Sequence, residues 1–190
     1  MAGVGEILAG QHGVCRARGV TDGSAAWRFE MVLLSKNPPA IEVFAWCERW
    51  LACLSDGDYA AAYGMIYADS QWQWTPTIIE ELIANHGTLD PDPSGHRYRA
   101  TPPGAATGLH PGQLTSLRVD PDDPALNLTG EVHPRFPFSV VWYRDPQGRS
   151  LGEVLIDYPL DGKWSHLSST FDILPLEEGL ALDLERIEVM

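Results

Sequence analysis

The sequence predicts an α+β domain in which N-terminal helices pack on one face of a curved antiparallel sheet. Three observations predict it. Apolar residues recur at intervals of three and four up to about Asn85, the helical period, and at intervals of two beyond Leu114, the strand period. Helices first and a run of strands afterwards is the order of a layered α+β fold, not of alternating βαβ units. Finally, Asp161-Gly162 separates two alternating segments, Gly152–Leu160 and Lys163–Ile173, and Asp-Gly between such segments marks a hairpin. At 190 residues the chain has the length of one domain with a real core.

From Met1 to about Asn37 the chain is rich in Gly and Ala and has few core-type residues before Trp27. This stretch reads as a poorly ordered tail, with Met31 a plausible start and residues 38–190 forming the domain. Pro38-Pro39 leads into a first helix whose Val43, Phe44, Cys47, Trp50, Leu51 and Leu54 form one apolar stripe. Ser55-Asp56-Gly57 ends it, and Asp58 is an N-cap for a short second helix through Tyr63 and Ile66. Gln71-Trp72-Gln73-Trp74 alternates as a short strand would. Thr77 and Glu80 are spaced as a capping box ahead of Ile78, Ile79, Leu82 and Ile83, with Gly87 as the C′ stop of a third helix.

Asp90 to Gly112 contains five prolines and four glycines and reads as a long loop, either a lid or a mobile connection. Strands follow near Leu114–Val119, Leu126–Val132, Phe138–Arg144, Leu151–Tyr158, Trp164–Leu174 and Leu180–Val189, with a turn at Asp145–Gly148. Pro159, lacking an N–H, is expected to stop its strand. In the last strand Leu180, Leu182 and Leu184 share one parity while Ile187 and Val189 take the other, which predicts a β-bulge near Glu185-Arg186.

The formal net charge is −13, and Gly152–Met190 holds nine acids and two bases. Such a balance excludes a phosphate-backbone binder, which needs a basic footprint, and favours a cationic ligand or a basic protein partner. Cys15, Cys47 and Cys53 form no disulfide framework. Cys47 and Cys53 lie about 9 Å apart along one helix, too far to bridge. Reduced thiols point to the cytoplasm. No apolar run approaches the roughly 20 residues that span a bilayer, and no secretory signal is evident.

The order helix, short helix, short strand, helix, then long strands, with Leu54–Tyr59 as a corner between two helices, resembles the NTF2-like (cystatin-like α+β) superfamily. The resemblance covers about Pro38 to Val189. The block Asp157–Phe171 is also similar to an uncharacterised bacterial protein family. Membership of the NTF2-like superfamily implies a small-molecule enzyme, a binding module or an immunity protein, without choosing among them.

Catalytic patterns are weak. Gly148-Arg149-Ser150-Leu151-Gly152 has the spelling of a nucleophile elbow, but a strand follows where the elbow needs a helix, so it reads as a hairpin loop. His12, His86, His96, His110, His133 and His166 show no zinc-ligand spacing, and glycine-rich nucleotide motifs are absent, so neither metal nor cofactor is expected. Asp56 and Asp58 are accounted for by capping. Two sets of residues remain. Tyr59, Tyr63, Trp72, Trp74, Tyr158 and Trp164, with Asp157 and His166 as polar tips, suit an aromatic small-ligand pocket, although the same aromatics suit an ordinary core. Asp172, Asp183 and Glu185 are the expected members of an outward acidic patch for a basic partner. The first reading of function is a non-enzymatic, immunity-type interaction protein; the alternative is an NTF2-like ligand binder or pocket enzyme.

Overall fold

The computed structural model describes residues 31–67, 74–108, 129–132 (backbone only), 138–142 and 150–190. Three helices come first: α1 (Ala40–Ser55), α2 (Tyr59–Met65) and α3 (Pro76–Ala84). Five strands follow: β1 (Thr129–Val132), β2 (Phe138–Trp142), β3 (Gly152–Leu160), β4 (Lys163–Pro175) and β5 (Leu180–Val189). The strands form one antiparallel sheet in sequence order, curved and unclosed. The α+β class with helices against an antiparallel sheet is therefore the observed one. The expected strand at Leu114–Val119, the turn at Asp145–Gly148 and residues 1–30 lie outside the described residues, and of the expected strand at Gln71–Trp74 only Trp74 is described, outside any strand.

Apolar spacing decides how α1 docks. The predicted stripe is buried, and Trp46 and Cys53 are buried with it. Trp46 and Trp50 stack at 5.8 Å, and both meet Phe171 of β4 edge-on at 5.2 Å. Phe44 stacks on Phe138 of β2 at 6.2 Å. With Val140, Val154, Ile156, Leu167, Ile173, Leu182 and Leu184 these residues form the core between α1 and the sheet. A fully buried ring such as Phe171 contributes roughly 2–3 kcal/mol by leaving water, so this layer dominates the stability of the domain.

The helix ends correct two expectations. The N-cap of α3 is Thr75, not Thr77: its Oγ1 accepts from Ile78 N at 3.1 Å, and Pro76 takes the first helical position. Proline has no N–H to leave unsatisfied there, so Thr75-Pro76 outcompetes a start two residues later. At the other end His86 N donates to Ile83 O and Gly87 N to Leu82 O, a Schellman closure. His86, with φ 55°, is thus the C′ residue, and Gly87, with φ 89°, follows it. Asp58 caps α2 as expected, accepting from Ala61 N at 2.9 Å.

Leu34 lies in the segment read from sequence as tail. It is buried and exchanges two backbone hydrogen bonds with Leu180 at 2.8 and 3.0 Å, extending the sheet beside β5. Its carbonyl passes so close to Gly179 that a Cβ there would sit 2.3 Å from it.

Asp161 (φ 50°) and Gly162 (φ 78°) supply the two positive φ angles that a two-residue hairpin loop of type I′ requires. Pro159 does not end β3. The strand continues to Leu160 because the register shifts between Asp157 and Pro159, and a bulge tolerates a residue without an N–H. The described part of the long loop, up to Gly108, is laced to this hairpin. Thr101 N donates to Pro159 O, Gly162 N to Thr101 Oγ1, and Thr107 N to Gly162 O. His96 Nε2 lies 2.7 Å from Asp161 Oδ2. These bonds make the described part of the loop a strap over the hairpin tip.

Candidate functional site: the acidic outer face of the sheet

The strand period of two sends alternate residues to opposite faces. On β3 to β5 the face away from α1 receives a row of directly opposed acids: Glu153 pairs with Asp172 on β4, and Asp172 pairs with Asp183 on β5. The next row is Ser139, Leu155, Thr170 and Arg186, and the one beyond holds Asp157, Ser168 and Glu188. Phe171 pairs with Leu184 and Thr170 with Arg186, leaving Glu185 as the extra residue of a bulge. The parity switch in the sequence predicted this bulge, and its consequence is electrostatic. Glu185 is turned toward its neighbours, so that carboxylate oxygens of Glu153, Asp172 and Glu185 all lie within 4.8 Å of one another.

All three carboxylates are half-buried. Burial pushes the Glu153 carboxyl above its ordinary value, Asp172 and Glu185 push it further, and Arg186 partly opposes them. Arg186 is committed elsewhere: its Nε lies 2.9 Å from Glu188 Oε1 and 3.4 Å from Thr170 Oγ1. Ser150 Oγ donates to Gly152 O at 3.0 Å and approaches Asp172 Oδ1 at 3.4 Å. That serine precedes a strand, as the hairpin-loop reading of Gly148–Gly152 requires.

Sequence reasoning missed Glu153. Strand parity gives its face, but only the β3–β4 register sets it against Asp172. Asp172, Asp183 and Glu185, the expected patch members, do share this region, although none is fully exposed and one oxygen of Asp183 is buried.

Among the described residues, those expected to line an aromatic pocket are spread over the core, α2 and the β3–β4 hairpin. Tyr158 is fully buried in the core; its hydroxyl is shared between Ser169 Oγ and Trp50 Nε1, the latter at 3.2 Å. Burial raises the Tyr158 pKa well above that of a free phenol, and the two hydrogen bonds only partly offset this. Trp74 is buried and donates its indole N–H to Leu184 O at 2.5 Å. Asp157, on the opposite face from Tyr158, accepts from Ser168 Oγ at 2.6 Å. Tyr59 and Tyr63 are half-buried on α2, where burial and then Glu80 raise the Tyr59 pKa. Trp164 sits near the hairpin tip, its backbone N–H 3.4 Å from Thr107 O, and His166 is exposed in the β3–β4 bulge. Trp72 lies outside the described residues. The strand period correctly separated Asp157 from Tyr158; it carried no information about which aromatics the helices would cover.

Among the described residues no helix is long and apolar enough to cross a membrane. Comparison with family models, curated proteins and solved structures returns no match to this chain.

Proposed function

We propose that the outer face of β3–β5 binds a basic protein and that the chain is a non-enzymatic interaction module, of the kind that masks a basic partner. The observation that carries this reading is the opposed row Glu153, Asp172 and Asp183 with Glu185 beside it. Like charges placed directly opposite each other in a sheet cost stability. Among the described residues, six carboxylates on these three strands' outer rows (Glu153, Asp157, Asp172, Asp183, Glu185 and Glu188) accompany a single guanidinium, Arg186. A cationic surface offsets that repulsion on contact, and the net charge of −13 steers such a surface inward. The buried thiols of Cys47 and Cys53, which form no disulfide, support a cytoplasmic setting. The element order, three helices and then an antiparallel meander, supports an NTF2-like assignment.

The pocket alternative has less support, because Tyr158 and Trp74 spend their polar atoms on protein partners. The test is a paired capture with wild-type chain and a variant carrying Asp172→Lys and Glu185→Lys as baits. A basic protein held by the first and lost by the second, with binding that weakens as salt rises, is the expected result. A partner retained equally by both, or no partner together with a small ligand that raises Tm, overturns the proposal.

A further inference from the structure

Beside the acidic row the outer face is hollowed. A half-open groove of about 200 Å³ runs over the β2–β5 rows. Its walls are mostly apolar: Val141, Leu155 and Met190, with the hydroxyls of Ser139 and Thr170 between them. Glu153 and Arg186 line it as well. Cross-strand register sets Glu153 directly opposite Asp172, and the bulge brings Glu185 to the same point. A narrow apolar trough that ends in clustered carboxylates has the complement of a long basic side chain, which buries its methylenes and keeps its charged head among oxygens.

Building on the interaction reading above, we infer that this groove seats one arginine side chain of the basic partner. The stem lies along Val141 and Leu155, and the guanidinium is placed among Glu153, Asp172 and Glu185. Arginine suits the site better than lysine because its planar fork donates to two carboxylates at once. Arg186 does not close the groove to a second guanidinium. Its Nε is engaged by Glu188 and Thr170, and the three clustered carboxylates of Glu153, Asp172 and Glu185 outnumber it. The raised pKa of Glu153 is relieved by an incoming cation, so binding is coupled to loss of any proton that Glu153 holds.

The experiment is a methyl NMR titration of the full chain with acetyl-Gly-Arg-Gly-amide and with the isosteric, uncharged citrulline peptide. The arginine peptide is expected to move the Val141 and Leu155 methyl signals saturably, and the citrulline peptide to leave them in place. Glu153→Gln, which removes a repulsion and so keeps the fold, is expected to weaken binding about tenfold, the order set by a charge-assisted hydrogen bond. Equal shifts from both peptides, or undiminished binding by Glu153→Gln, would overturn the inference. So would magnesium or calcium chloride alone producing the same shifts and blocking the arginine peptide, which would assign the carboxylates to a divalent cation. If the arginine peptide fails while Asp172→Lys with Glu185→Lys still releases the captured partner, the groove inference falls and the interaction reading stands. If the charge reversal fails as well, both fall.

Discussion

Asp172 lies directly opposite Asp183 across the β4–β5 ladder, and on its other side directly opposite Glu153 of β3. A carboxylate flanked by carboxylates on both neighbouring strands is an electrostatic cost built into the fold. Opposed like charges in a sheet cost roughly 0.2–1 kcal/mol per pair. Asp172→Asn is therefore expected to raise stability by up to about 1 kcal/mol, or about 2–4 °C in Tm for a chain of this size. The gain is expected to shrink as salt screens the row. A denaturant midpoint that falls on substitution would show that Asp172 is stabilised by a bond worth more than the repulsion.

The Glu153 carboxyl gives this face a pH dependence whose sign is set. Its pKa is raised in the folded state above the ordinary 4.5, so over that window the native chain binds more protons than the unfolded one. Stability then falls as pH rises from 4.5 through the raised value, and the penalty is fully present above it. Subtracting the stability–pH curve of Glu153→Gln from that of wild type should leave a difference of this sign. Glu81 supplies the opposite case: the Arg97 guanidinium holds its carboxyl below the usual range, and its contribution disappears as the pH falls through the lowered value. A difference between wild type and the Glu153→Gln variant that stays flat from about pH 4 to pH 7, the range over which a raised glutamate titrates, would contradict the geometry of the cluster.

Within the core, Tyr158 joins α1 to the sheet through Trp50 and Ser169. Tyr158→Phe deletes one oxygen and leaves a buried indole N–H and a buried hydroxyl without that partner. Such a loss costs about 1–3 kcal/mol. Adding Ser169→Ala to Tyr158→Phe is expected to recover part of it, because one orphaned group is then removed as well. Trp46 provides an internal comparison: its indole N–H is buried with no hydrogen-bond partner among the described residues, so Trp46→Phe is expected to lose packing but none of the described hydrogen bonds. Urea midpoints of these variants and of Ser169→Ala alone decide the matter; additivity of the Tyr158 and Ser169 changes would mean the two groups are not coupled.

Gly162 sits at φ 78° with no atom of the described residues within 4 Å of the place a Cβ would occupy, so backbone strain governs substitution there. Gly162→Val is expected to cost about 1–2 kcal/mol in denaturant midpoint measurements, since a β-branched residue is poor at positive φ. At Gly179 the cause is steric instead: Gly179→Ala drives a Cβ against Leu34 O and should release residues 31–37 from β5. Amide exchange at Leu34 would report it, and unchanged protection there would show that the contact yields without cost.

Sequence by itself determined the elements. A period of three to four made α1 and α3 helices, a period of two made β3 to β5 strands, and Asp161-Gly162 closed the hairpin, because these are local requirements of backbone geometry. Even the bulge at Glu185 was legible, as the switch of parity between Leu184 and Ile187. What sequence could not carry is anything that depends on register between strands or on distance through space. The register shift between Asp157 and Pro159, the pairing of Glu153 with Asp172, and the strap that ties Thr101 and Thr107 to the hairpin each join residues from different segments of the chain. The same limit applies to the aromatic residues. Alternation separates Asp157 from Tyr158 by face, but whether α1 fills the space above Tyr158 or leaves it open is decided by Trp46, Trp50 and Phe171 packing together. Tertiary structure decided the candidate site for that reason: a carboxylate's neighbours across a sheet are set by hydrogen-bond register, which the one-dimensional spacing of charges does not contain.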